Sequence, residues 1–285
     1  MTKIVAAATA LTLVIPISSI LIPEPADPPL SLAWSDEILT ISGANVPGGS
    51  IRIWYIEAFC RPGSTDRDWH ETVIPHKTQL LEKSPDGRML KLRSTLDDGV
   101  IITHEIEAGS DEVTFRVTAE NPTKQASQAH WAQPCIRVDR FVGVPAKPDS
   151  EEYLGKSFIV LDGKPAFLPT KPWATRARYT PGQVWCPKHV DRNDVNPRPL
   201  SALVPSNGLI GCVSKDNTQL LATAWEPYQE LFQGVITCLH SDFRIGGLNP
   251  GEIKTICGKL YLVPNNLKKL IERYERDFPE HQASR

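Results

Sequence analysis

Three short runs carry the side chains best suited to chemistry. Residues 128–140 read Gln-Ala-His-Trp-Ala-Gln-Pro-Cys-Ile-Arg-Val-Asp-Arg. If the run is extended, Trp131, Gln133, Cys135 and Arg137 alternate onto one face. An indole there can stack on pyranose C–H groups while the amide and guanidinium bond hydroxyls. His130 stands beside them. In the second run, Trp225-Glu226-Pro227-Tyr228-Gln229, a carboxylate stands between an indole and a proline at a strand end. Desolvation raises the pKa of such a group, which suits a general acid or base. The third run is Cys238-Leu239-His240-Ser241-Asp242-Phe243-Arg244. Its His240 and Asp242 form a candidate oriented pair, although alternate residues on a strand need not touch. Arg244 adds a guanidinium. A lone histidine, His104, lies among Val100, Ile102 and Ile106. It reads either as a buried histidine with its hydrogen bonds satisfied or as a side chain pointing into a ligand groove.

These side chains need elements to hold them, and the pattern of the chain is that of strands. Leu90, Leu92, Ser94 and Leu96 alternate with Lys91, Arg93 and Thr95. Asp98-Gly99 follows, a hairpin signal because both residues tolerate positive φ. Val100, Ile102, His104 and Ile106 then alternate with Ile101, Thr103, Glu105 and Glu107. After Gly109-Ser110, Val113, Phe115, Val117 and Ala119 alternate with Thr114, Arg116, Thr118 and Glu120. The period of two over 88–121 predicts an antiparallel meander with one face packed inward. Further strands are expected at 51–59, 130–138, 157–161, 208–214, 219–226, 234–240 and 253–263. A closing helix is expected over about 265–277, with Leu267, Leu270, Ile271 and Tyr274 on its apolar face and Pro279 as its stop. Strands without intervening helices predict a sandwich or barrel. Two long loops, 60–78 and the proline-rich 162–205, are expected to be functional.

Composition narrows the function class. The 285 residues hold 31 Lys+Arg against 33 Asp+Glu, a net charge of −2, so no broadly basic nucleic-acid surface is expected. With 25 Pro and 18 Gly, the chain does not read as a helical bundle or coiled coil. Residues 4–22 carry no charge and follow Lys3, like a signal peptide. An uncleaved anchor is the alternative, since about 20 apolar residues span a bilayer. Either reading puts the rest of the chain in a secreted or periplasmic setting, with any membrane contact confined to that segment. The expected organisation is residues 1–27 as signal peptide or anchor and 28–285 as one domain. Six cysteines after the segment permit three disulfides, or read as buried thiols. His70-Glu71 with His76 lacks the helical spacing of a metalloprotease, because Pro75 breaks the helix. Asp66, Asp68 and His70 read as a solvated loop. No Cys-x-x-Cys is present, and neither metal nor cofactor is expected.

Several features together resemble the galactose mutarotase-like superfamily. Glu226-Pro227-Tyr228-Gln229, then Phe243, then Leu248-Asn249-Pro250-Gly251-Glu252 and a last strand at Lys259-Leu260-Tyr261 follow the order at the end of those proteins. A strand ending in Glu120-Asn121 before one opening at His130 matches their middle. The resemblance covers roughly residues 88–263. It implies an all-β, antiparallel β-supersandwich with long loops and one C-terminal helix. It further implies His130 as acid and Glu226 as base, with His104, Trp131, Gln133, Arg137, Trp225, His240, Asp242 and Arg244 positioning a sugar in a concave sheet groove. Two departures stand out. Gln128-Ala129-His130-Trp131-Ala132 replaces the family's Gly-x-His-Pro-Tyr-Phe, and its arginine-bearing substrate strand has no counterpart. The expected function is an exported, epimerase- or lyase-like enzyme on a carbohydrate. A non-catalytic carbohydrate binder and a structural envelope protein are the alternatives.

Overall fold

The computed structural model describes residues 29–65, 67–148, 151–171, 183–196, 199–234 and 236–281. The expected signal or anchor segment, Asp66 and the centre of the 162–205 loop lie outside these residues. In chain order the strands are β1 (Ser31–Ser35), β2 (Ile38–Ser42), β3 (Ser50–Cys60), β4 (Val73–Ile74), β5 (His76–Lys83) and β6 (Met89–Leu96). There follow β7 (Ile101–Ala108), β8 (Glu112–Glu120), β9 (Trp131–Arg137), β10 (Ser157–Leu161), β11 (Lys164–Phe167) and β12 (Val184–Trp185). The last are β13 (Ile210–Val213), β14 (Gln219–Glu226), β15 (Tyr228–Gln233), β16 (Cys238–Arg244) and β17 (Ile253–Pro264), and a helix closes the chain at Leu267–Asp277.

The strands form two sheets. Sheet 1 has the order β1-β2-β3-β9-β16-β15-β12, with β4 on β3, and sheet 2 the order β11-β10-β13-β14-β17-β8-β7-β6-β5. Neighbouring strands run antiparallel. The expected meander is β6, β7 and β8, and its alternation decides which face is buried. Leu90, Leu92 and Leu96, Ile102 and Ile106, and Val113, Phe115 and Val117 are all buried. They pack in one core with Ile51, Ile53, Phe59, Ile136, Leu239 and Phe243 of sheet 1. Each such side chain, fully buried, contributes roughly 1.5–3 kcal/mol.

The closing helix covers the other face of sheet 2. Leu270, Ile271 and Tyr274 pack with Phe158, Leu220, Ala222 and Tyr261. Asn266 caps the helix by accepting the Lys269 backbone N–H at 3.1 Å. Arg273 ties it to the sheet through Asp111, at 2.6 and 2.9 Å, and Glu112.

The strand expected at 234–240 lies further on, at β16. β15 ends at Gln233, β16 begins at Cys238, and the Gly234 N–H donates to the Cys238 carbonyl. The chain also holds β1, β2, β5 and β15, which the apolar pattern does not announce. β5 is mostly exposed, and β15 follows β14 after a single residue, Pro227. Within the 60–78 loop, Trp69–Thr72 forms one helical turn and β4 adds to β3. Its His70 and Glu71 are exposed.

β9 and β16 differ from the meander in one respect. Apart from their last residues they are buried on both faces, although half of their side chains are polar. One face meets the interlayer core. The other is roofed by residues 61–65, 67–72 and 186–196, which bond each other where Ser64 and Thr65 donate to the Val195 carbonyl at 2.8 and 2.9 Å. That roofed polar face holds the candidate site.

Candidate functional site on the outer face of sheet 1

Strand register sets out the floor of the site. Trp54 of β3 pairs with Cys135 of β9, and Phe232 of β15 pairs with His240 of β16. The register of β9 on β16 puts His240 across from Cys135 and Asp242 across from Gln133. One row therefore reads Trp54, Cys135, His240, Phe232. The next reads Gln133, Asp242, Glu230. A third holds Trp131 opposite Cys60 on one side and Arg244 on the other. The alternation expected for Trp131, Gln133, Cys135 and Arg137 is thus present, as is that of Cys238, His240, Asp242 and Arg244.

The floor is buried and polar. Glu230 and Asp242, both at 0% exposure, stand side by side. Glu230 accepts the Asn196 backbone N–H at 3.0 and 2.9 Å. The His240 Nδ1 lies 3.5 Å from an Asp242 carboxylate oxygen, and its Nε2 lies 3.6 Å from the Cys238 sulfur. His240 and Asp242 therefore stand within ion-pair distance of each other. Burial opposes charge on His240, but the Asp242 carboxylate and the Cys238 sulfur beside it outweigh that and push the imidazole up to about 10. Burial also resists a Cys238 thiolate, yet donation from Cys135 and His240 holds that thiol well below its ordinary range. Phe232 stacks on the His240 ring at 4.3 Å.

Over this floor lies a groove of about 290 Å³. Trp54 and Trp69, both half-buried, line it with Glu57, Gln133, Arg137 and Asn196. Gln133 donates to Glu57 at 3.0 Å, which fixes its amide. Trp131 does not reach this groove; it is buried beneath Trp69, ring centres 6.1 Å apart.

A second group gathers at one end of the sheet, around the last residues of β16. The Arg244 N–H donates to the Pro227 carbonyl, and the Ile245 N–H to the His130 carbonyl. His130 and Pro227, the residue after Glu226, therefore flank the same strand end, while Glu226 itself ends β14 of sheet 2. The His130 Nδ1 lies 3.3 Å from Asp194, and Arg244 lies 3.4 Å from the same carboxylate. Arg244 also donates to the Gln229 side chain at 2.5 Å. Gln229 in turn donates to the Asp194 carbonyl.

Glu226 lines a cavity of about 720 Å³ together with Lys188, His189, Asn207 and Tyr228. Burial, and then the charge of Glu280, pushes its carboxyl up to about 7. Burial and the nearby Arg244 guanidinium lower the pKa of His189.

Two expected site residues lie elsewhere. His104 is fully buried between the sheets, bonded to the Tyr55 hydroxyl at 3.0 Å and the Ser94 hydroxyl at 3.1 Å. Of its two readings, the structure takes the buried one, because the inward face of the meander meets sheet 1 and not solvent. Trp225 is also in this core, 5.2 Å from Phe115 and 4.7 Å from Phe243. All six cysteines are free thiols, and Cys257 alone is exposed.

Trp54, Trp69, Asp194, His189 and Asn196 enter from stretches that carry no chemical pattern. The one signal for most of them is position, since Trp69 and the 188–196 residues belong to the two long loops.

No protein-family model and no curated protein matches the chain. Solved structures that the chain matches include an aldose 1-epimerase of Escherichia coli K12, described as putative. It is 12% identical over 82% of this chain and 98% of that one, with a TM-score of 0.39. A galactose mutarotase-like protein of Clostridium acetobutylicum is 10% identical over 82% and 94%, with a TM-score of 0.43. A galactose mutarotase-like protein of Lactobacillus casei is 8% identical over 82% and 99%, with a TM-score of 0.40. Galactose mutarotase-like proteins are thus among the solved structures that this chain is similar to.

Proposed function

We propose that this protein is an exported, carbohydrate-active protein that carries out acid–base chemistry of the epimerase or lyase kind on a sugar. The observation that carries the reading is Glu226. Its carboxyl is held near 7 and lines a cavity of about 720 Å³. Pockets of about 300–1,000 Å³ take small ligands. A carboxyl with that pKa gives and takes protons at neutral pH.

Mutarotation needs one group to protonate the ring oxygen and another to take the anomeric hydroxyl proton. Glu226 is the base and His130 the acid. Asp194 orients the His130 ring, while Arg244, held by Asp194 and Gln229, offers hydrogen bonds to hydroxyls. The uncharged stretch at residues 4–22 supports export.

The test is anomer exchange measured by NMR across a panel of aldoses, with analysis for unsaturated products on uronic-acid polymers. Glu226→Gln is expected to lower kcat by about 100-fold or more. Undiminished turnover in that variant overturns the assignment, and absence of turnover on every sugar overturns the reaction class.

A second reading is favoured by the groove between Trp54 and Trp69. Two half-buried indoles beside a fixed amide, Gln133, and the Arg137 guanidinium suit recognition of a sugar without chemistry. Sugar binding without turnover, lost in Trp69→Ala, supports this reading against the first.

A further inference from the structure

We propose that Cys135, Cys238 and His240 form a binding site for a thiophilic metal ion of the zinc class, on the floor of the groove in sheet 1. The inference is independent of the carbohydrate reading. The three donor atoms lie within 4.8 Å of one another. They are brought together by strand register: His240 faces Cys135 across β9 and β16, and Cys238 is two residues along the same face. No sequence motif announces them, because the cysteines come from distant strands and not from one loop.

Geometry fits the ion. Zinc bonds sulfur at about 2.3 Å and imidazole nitrogen at about 2.0–2.1 Å, so tetrahedral angles set the two donors about 3.6 Å apart. The Cys238 Sγ and the His240 Nε2 are 3.6 Å apart. The opposite ring nitrogen of His240 lies 3.5 Å from Asp242. Metal-bound histidines commonly present their second nitrogen to a carboxylate, which fixes the ring and strengthens the ligand.

Space at the donors is kept by a glycine. A Cβ at Gly234 would collide with the Cys238 sulfur and stand 2.8 Å from the His240 Nε2. All three donors line the groove of about 290 Å³ with Gln133 and Asn196. Three protein ligands facing a cavity leave a fourth position for water or a ligand, the arrangement of reactive zinc sites as opposed to closed structural ones. Thiolate donors favour zinc over magnesium or calcium.

The experiment uses the full chain, stripped with a chelator under reducing conditions and titrated with zinc against a chromophoric competitor. Cobalt(II) substitution reports the ligands directly. One ion per chain is expected, and the cobalt form should show thiolate-to-metal charge transfer with intense tetrahedral d–d bands. Cys135→Ser, Cys238→Ser and His240→Gln should each weaken binding by at least 10-fold, while Asp242→Asn should weaken it by roughly 10-fold. Cys212→Ser and Cys257→Ser should leave it unchanged.

Stoichiometric binding that survives both Cys135→Ser and Cys238→Ser overturns the proposal, as does the absence of a stoichiometric ion. A Cys135–Cys238 disulfide, found by mass mapping of protein purified without reductant, also overturns it. If the serine variants fail to fold, the cobalt spectrum of the unaltered chain decides by itself. Zinc binding read this way is separate from sugar turnover, so either result can fail without the other.

Discussion

Between the two sheets, His104 stands among Ile102, Ile106 and Val117, and its neighbours are neutral hydroxyls. On the outer face of sheet 1, His240 is equally buried, but its neighbours are Asp242 and Cys238. Burial, and to a lesser degree His76, pushes His104 down to about 3, so it is neutral at physiological pH. Burial acts on His240 in the same sense, yet its partners push it up to about 10. The contrast teaches that depth alone does not set the charge of a buried histidine. What decides is whether the face it occupies meets another sheet or a roof of polar loops. The first face was built by apolar alternation and tolerates only neutral hydrogen bonding. The second keeps carboxylates, thiols and imidazole in register, and so supports a charge on the imidazole.

The largest expected effect tests the core side of this comparison. Trp225→Ala should cost about 3–5 kcal/mol in chemical denaturation, because it empties the space between Phe115 and Phe243. A loss below about 1 kcal/mol would place Trp225 outside the core.

Next in size is a pH effect at His104. Its folded pKa lies below its ordinary 6.5. Between those values the unfolded chain binds a proton that the folded chain does not. Stability should therefore fall as pH drops from about 6.5 toward 3, by up to roughly 1.4 kcal/mol per pH unit from this group. His104→Gln should flatten that slope in urea titrations run at several pH values. An unchanged slope would mean that His104 is charged in the folded state, and the contrast with His240 would collapse.

Glu226 carries the opposite sign. Its folded pKa is raised, to about 7 from 4.5, so the folded state holds the extra proton in that window. Stability from this group should be fullest below pH 4.5 and decline as pH rises through 7, and Glu226→Gln should remove that decline. Turnover that uses Glu226 as base should rise through the same pH range as the carboxylate forms. A rate profile flat across pH 6–8 would separate Glu226 from the chemistry.

The smallest stability effect is expected at Trp69, which lies on the roof. Trp69→Ala should shift the unfolding free energy by much less than Trp225→Ala, while sugar affinity falls. Equal losses at the two tryptophans would show that the roof is as structural as the core, and would erase the distinction between the two faces.

Much of the architecture is written in local pattern. The period of two over residues 88–121 determined three strands, their turns and their inward face, because one-sided burial leaves a polar–apolar record. The closing helix was legible in the same way from Leu267, Leu270, Ile271 and Tyr274. Trp131, Gln133, Cys135 and Arg137 on one face, and His240 with Asp242 on another strand, also follow from alternation alone. Sequence could not say which face of a strand meets a core and which meets a roof. His104 and Trp225 read as site residues because an apolar neighbourhood looks the same in a groove and between sheets. Nor could it place Trp69, Asp194 or Asn196 over the floor, or bring Cys135 to Cys238 and His240. Those meetings depend on pairing between strands far apart in the chain and on loops that bond each other across the sheet. Local residue pattern encodes the period of an element, whereas register and roof are set when the sheets close.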